Sequence, residues 1–103
     1  MLTKEQRIKL RSYGQNLPNL VYIGKDELDE NVIKQINDNL YAYELIKIKV
    51  QNTSLSTPKD LANEIERECG CEIVTVIGSK ILIYKKSDKK TDKKQEVIRN
   101  IVR

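Results

Sequence analysis

The sequence predicts a single α/β domain, a sandwich with elements in the order α-β-α-β-α-β-β around a four-stranded mixed sheet. Three observations carry this. Stretches with apolar residues at helical spacing alternate with short runs that are apolar at every second residue or continuously. Each helical stretch is headed by residues that cap a helix N-terminus: Thr3 with Gln6, then Asp29, then Thr57 with Pro58. The last two apolar runs are separated only by Gly78-Ser79-Lys80, a hairpin signal, whereas helices separate the earlier strands.

Taken in order, Thr3 and Gln6 form a capping box, with Leu2 placed to staple the first turn. Ile8, Leu10 and Leu17 supply apolar contacts, Lys4, Arg7 and Arg11 recur on one stripe, and Gly14 and Pro18 bracket the end of the helix. The run Leu20 to Ile23 is a strand that stops at Gly24. After a short charged loop, Asp29 caps a helix to about Tyr41, with Val32, Ile33, Ile36 and Leu40 on its core face. Leu45 to Val50 is a half-buried strand whose Lys47 and Lys49 face outward. Residues 51–57 are polar loop. Pro58 then opens a helix with Leu61, Ala62, Ile65 and Cys69 as its buried stripe and Gly70 at the left-handed end position. Ile73 to Ile77 and Ile81 to Tyr84 are apolar on successive residues, which predicts two inner strands. From Lys85 a lysine-rich stretch without apolar residues reads as solvated and mobile. Residues 95–103 then return to helical spacing at Val97, Ile98, Ile101 and Val102, a short helix that needs the body, a second copy or a partner to be stable.

Composition narrows the function classes. At 103 residues the chain supports one modest core. No apolar run approaches the roughly 20 residues of a membrane helix, and the first residues lack the apolar segment of a secretory signal, so a cytoplasmic location is expected. The net charge of +4 is uneven: residues 1–84 carry 11 basic and 12 acidic groups, whereas Lys85 to Arg103 carry eight basic against three acidic. The tail, not the body, makes the chain basic. The strand–glycine–loop–helix junction at residues 20–36 offers backbone N–H groups and a positive helix end, where phosphates bind; nucleic acid is the first partner to consider and a small ligand the second. Cys69 and Cys71 read as free thiols, since with no histidine only carboxylates or a shared site could complete four zinc ligands, and no cofactor is expected. Among the tyrosines, Tyr22 and Tyr84 read as packing residues, and Tyr13, Tyr41 and Tyr43 as exposed. Phosphate-loop and catalytic nucleophile motifs are absent, so an enzyme is not expected.

The residues Leu2-Thr3, Gln6-Arg7, Leu10-Arg11, Ile23-Gly24-Lys25, Val32-Ile33, Glu44 to Val50, Val76-Ile77-Gly78 and Ile81 to Tyr84 fall in one register. In that register residues 1–85 resemble the CRM domain family, in particular its stand-alone bacterial members of the YhbY type. The resemblance implies a fold similar to the C-terminal domain of a bacterial translation initiation factor. It also implies an RNA-binding domain over 1–85, acting as an assembly factor on large ribosomal subunit precursors, with 86–103 as a basic tail.

One departure stands out. The family carries a Gly-x-x-Gly loop between its first strand and second helix, and this chain has Gly24-Lys25-Asp26-Glu27. Glu27 adds a side chain and a charge where a glycine allows close approach to a phosphate, and Asp26 adds a second charge. These two carboxylates are expected to repel RNA. The candidate RNA-binding residues are Lys4, Arg7, Arg11, Gly24, Lys25, Lys47, Lys49 and Lys80. Lys80 lies one residue beyond the place where many relatives have arginine. With a body of slightly negative net charge, binding is expected to be weak, salt-sensitive and dependent on the tail. The alternative is a protein-interaction module that kept the fold and lost much of its RNA contact, with residues 95–103 engaging a partner.

Overall fold

A computed structural model describes residues 1–88 and 93–103. The elements are α1 (Lys4–Gly14), β1 (Asn19–Ile23), α2 (Glu30–Tyr43), β2 (Leu45–Val50), α3 (Pro58–Cys69), β3 (Glu72–Ile77), β4 (Lys80–Tyr84) and α4 (Lys93–Ile101). The capping signals act as the sequence indicates. The Thr3 hydroxyl accepts from the Gln6 N–H at 3.1 Å and the Gln6 side chain accepts from the Thr3 N–H at 2.8 Å. Asp29 and Thr57 cap α2 and α3, and Gly70 ends α3 in the left-handed region.

The sheet is mixed, in the order β1-β2-β4-β3. β1 and β2 run parallel across the α2 crossover, and β4 is antiparallel to both β2 and β3. β4 is therefore inner, but β3 is an edge strand, contrary to the expectation from its continuous apolar run. The run has another cause. A register shift lies between Ile73 and Thr75; Ile73 and Val76 pack toward the α2/α3 side, and Val74 toward the α1/α4 side. This edge strand thus sends side chains into the packing on both faces of the sheet.

Two apolar layers follow. One holds Val21, Ile23, Ile46, Ile48, Ile81 and Ile83 of the sheet against Ile36 and Leu40 of α2 and Leu61 and Ile65 of α3. The other holds Leu45, Val74, Leu82 and Tyr84 against Leu2, just before α1, Leu10 of α1 and Ile98 of α4. Ile8 does not join it: the side chain is 58% exposed. Gly14 brings the end of α1 against the sheet, because a Cβ there would lie 2.6 Å from Leu82 Cδ2.

The C-terminal helix docks on the body. Its apolar stripe (Ile98, Ile101, Val102) joins the second layer, and its Arg99 reaches Glu44, which sits fully buried between α2 and β2. Glu44 holds φ at +65°, so the chain passes from helix to strand with no intervening loop. The lysine-rich stretch is not solvated throughout as expected: Ser87 is buried, its N–H donating to Glu44 and its hydroxyl to the Tyr41 carbonyl. The Lys85 ammonium donates to the Cys69 carbonyl, while residues 89–92 lie outside the described residues.

Candidate nucleic-acid interface

The strand pairings place one row of side chains straight across the sheet. Tyr22 of β1 is opposite Lys49 of β2, Lys49 is opposite Lys80 of β4, and Lys80 is opposite Ile77 of β3. Paired residues share a face, and these alternate with Ile23, Val50, Ile81 and Val76 on the α2/α3 side, so the row lies on the α1/α4 side of the sheet. Neither helix covers it. Tyr22 is 53% exposed and Ile77 47%, because α1 packs over Leu82 and Val74 and leaves this end of the face open. Tyr22 is thus a surface residue, not the packing residue its strand position suggests. Tyr84, Tyr41 and Tyr43 are placed as expected, buried and exposed respectively, while Tyr13 is half-buried against the second apolar layer.

Four of the sequence-predicted cations gather here from three elements. Arg11, Lys47 and Lys80 line a cleft of about 250 Å³ between the end of α1 and the sheet. The Lys47 ammonium donates to the Gln15 carbonyl at 3.2 Å. Partial burial, and secondarily the nearby Lys80 charge, push its pKa below the ordinary lysine value. Lys49 donates to the Ser79 hydroxyl and faces a depression of about 690 Å³ lined also by Gln51, Thr53, Ser54 and Ser56. The remaining candidates are dispersed. Lys4 is exposed at the far end of α1, and Lys25 is exposed on the loop after β1. Arg7 is turned aside: its guanidinium donates to the Ile73 carbonyl and lies 3.8 Å from Glu72, so it fastens α1 to the edge strand. The α1 stripe of three cations is therefore divided between support and surface.

The loop at Gly24 differs from its sequence reading. The Glu27 N–H donates to the Gly24 carbonyl at 3.0 Å, which closes a turn, and Glu27 holds φ at +51°, the backbone region a glycine would occupy freely. Its carboxylate turns toward the loop at Ser54 and Ser56. It accepts from the Ser56 N–H at 2.8 Å, the Ser56 hydroxyl at 3.1 Å and the Ser54 hydroxyl at 2.8 Å. These hydrogen bonds, the Ser56 hydroxyl first, hold its pKa below the usual carboxylate value. Glu27 is a clasp between two neighbouring loops. Gly24 sits against the second loop, with the Gln51 Oε1 atom 2.8 Å and the Thr53 Oγ1 atom 3.1 Å from where its Cβ would be. Glu27 is thus committed to the neighbouring loop while keeping its negative charge, and Asp26 is the exposed acid on this turn.

The opposite side has the opposite charge. α1 carries Lys4, Arg7, Lys9 and Arg11 against Glu5, whereas α3 carries Asp60, Glu64, Glu66 and Glu68 against Lys59 and Arg67. The groove between α2 and α3 is lined by Glu30, Glu64 and Glu68, and its Lys34 is paired with Asp38 at 2.9 Å. A body whose charges nearly cancel in sum is thus polarised by face, which the net charge conceals.

Comparison with known proteins identifies the family. The profile of the CRS1 / YhbY (CRM) domain matches residues 2–85. The "Probable RNA-binding protein YqeI" of Bacillus subtilis is 36% identical over 87 residues, covering 84% of this chain and 91% of that protein. A Haemophilus influenzae protein named "RNA-binding protein" is 31% identical over 87 residues, covering 84% of this chain and 88% of its own length. The solution structure of the Staphylococcus aureus protein SAV1595 superposes with a TM-score of 0.75 at 41% identity, over 88% of this chain and 95% of that one. The chain belongs to the CRS1 / YhbY (CRM) domain family.

Proposed function

We propose that this protein is a non-catalytic RNA-binding factor that docks on structured RNA of the large ribosomal subunit or its precursors, in the cytoplasm. The observation that carries the reading is the convergence of Arg11, Lys47, Lys49 and Lys80 on one open face beside the Gly24–Glu27 turn, opposite an acidic α2/α3 side. Such a dipole orients the body toward phosphate and turns its acidic side away. Relatives named as RNA-binding proteins support the partner. The family resemblance supports the ribosomal precursor.

In this reading residues 1–85 form the binding unit, with Lys4, Lys25 and Gly24 at its margins. Residues 86–103 add positive charge, and α4 braces α1 from behind. Arg7 contributes by holding α1 to the sheet. Co-sedimentation with ribosomal subunits and their precursors at low salt tests the partner. Enrichment in the large-subunit precursor fraction is the expected result. No association with any ribosomal particle, together with no affinity for naked ribosomal RNA, would leave only the protein-interaction alternative.

A further inference from the structure

We infer that the open sheet face takes an unpaired RNA segment, with one base stacked on Tyr22 and the adjoining phosphates held by Lys49 and Lys80. This deepens the RNA-binding reading and rests on it.

Tyr22 is the exposed aromatic of the sheet among the described residues, and it sits in register with Lys49 and, one strand further, Lys80. Adjacent strands lie about 4.8 Å apart, so the ring, the Lys49 stem and the Lys80 stem are spaced at about 5 and 10 Å along a line perpendicular to the strands. An aromatic face followed by cations along one track is the arrangement that holds single strands: the ring stacks a base, and the ammonium groups follow its backbone.

A duplex does not satisfy this row. Its bases are stacked on each other, so the Tyr22 ring, standing from the sheet beside the lysines, meets only sugar and phosphate. An unpaired nucleotide offers the ring a free π-face. Beyond Lys80 the cleft between α1 and the sheet brings Arg11, Lys47 and Lys80 to one opening, which gives the strand a continuation. A phosphate there would relieve the mutual repulsion of Lys47 and Lys80. The Ile77 side chain closes the row at the β3 edge as an apolar stop.

The test compares wild type, Tyr22→Leu and Tyr22→Phe for binding to a labelled single-stranded RNA of about ten nucleotides and to a blunt RNA duplex of the same composition. Tyr22→Leu keeps the apolar bulk of a half-exposed position on an edge strand, and Tyr22→Phe keeps the ring. Stacking is worth about 1–3 kcal/mol per base, or roughly 5- to 150-fold in affinity. Tyr22→Leu is expected to lose affinity for the single strand within that range, Tyr22→Phe to retain it, and duplex affinity to stay unchanged in both. Equal single-strand affinity for all three proteins would overturn the inference while leaving RNA binding intact. So would equal losses on single strand and duplex. No binding to either RNA would remove the RNA reading and the inference with it.

Discussion

Replacing Arg99 with alanine tests how the C-terminal helix is held. Glu44 is fully buried; Arg99 Nε lies 3.1 Å from its Oε1, and Arg99 Nη2 lies 3.3 Å from its Oε2 and 2.9 Å from the Ser87 carbonyl. Removing the guanidinium leaves a fully buried carboxylate, with the Ser87 N–H still donating to it at 2.6 Å. Breaking a buried ion pair from one side costs about 3–5 kcal/mol, and because Arg99 is 34% exposed the lower end applies, about 3 kcal/mol. The alternative route is for α4 to lift away and let Glu44 reach water. That route gives up the burial of Ile98, about 2 kcal/mol, and part of that of Ile101 and Val102, about 1 kcal/mol each. Both routes cost about the same, so the variant combines a global loss near 3 kcal/mol with loosening of α4. In a domain of this size the loss lowers Tm by about 12 °C or more. Arg99→Lys keeps the charge but loses the fork, and its Tm should fall between the two. Circular dichroism melts read the first effect and amide exchange over residues 96–101 the second. A melting shift under 2 °C with unchanged exchange would refute the argument that this pair anchors α4.

Three other expectations follow from the packing and the titrating groups. Gly14→Ala gains about 1 kcal/mol of helix propensity but drives a methyl into Leu82, which costs about 1–3 kcal/mol, so a net loss of up to about 2 kcal/mol is expected; pairing it with Leu82→Ala in a double-mutant cycle should show favourable coupling, and additivity would contradict the contact. Burial, and then the neighbouring Cys69, push the Cys71 thiol up to about 12, so the unfolded chain loses this proton first as pH rises past about 9; stability of wild type should then fall with pH relative to Cys71→Ala, at up to about 1.4 kcal/mol per pH unit, and parallel curves would exclude it. Glu27 has a depressed folded pKa, so its clasp is complete above the unfolded carboxylate value and is lost as pH falls through the folded one. Exchange of the Ser56 amide should accelerate in Glu27→Gln and in wild type at low pH, and a rate insensitive to both would mean the clasp does not protect it.

What the sequence disclosed, and what it hid, follows from the range of each interaction. The caps at Thr3, Asp29 and Thr57 and the left-handed end at Gly70 depend on neighbours within a few residues, so the helices were legible nearly to their ends. Whether a strand face is covered depends on where a helix from elsewhere lands. That is why Tyr22 read as core, and why the two-faced burial of β3 read as an inner strand. Glu27 was legible as a charge but not as a direction, because Ser54 and Ser56 come from another loop. Glu44 and Arg99 gave no local signal, being 55 residues apart; an acid directly before an apolar strand and an arginine within the stripe of a short terminal helix were the available hints. The cations were identified by type, and the fold then sorted them: Lys47, Lys49, Lys80 and Arg11 onto one face, Arg7 into a structural contact.

The α1/α4 face is the one that should meet RNA. Binding of precursor large-subunit RNA should be titrated over salt for wild type, for the triple variant Arg11→Ala, Lys49→Ala, Lys80→Ala, and for the control Lys34→Ala, Lys59→Ala on the acidic side. Each lost phosphate contact lowers the slope of log affinity against log salt by about 0.7–0.9. The triple variant should show a slope shallower by about 2 to 3 and a large loss of affinity at low salt, and the control should match wild type. A triple variant that keeps the wild-type slope, or a control that loses as much, would contradict the assignment of the α1/α4 face as the RNA-binding surface.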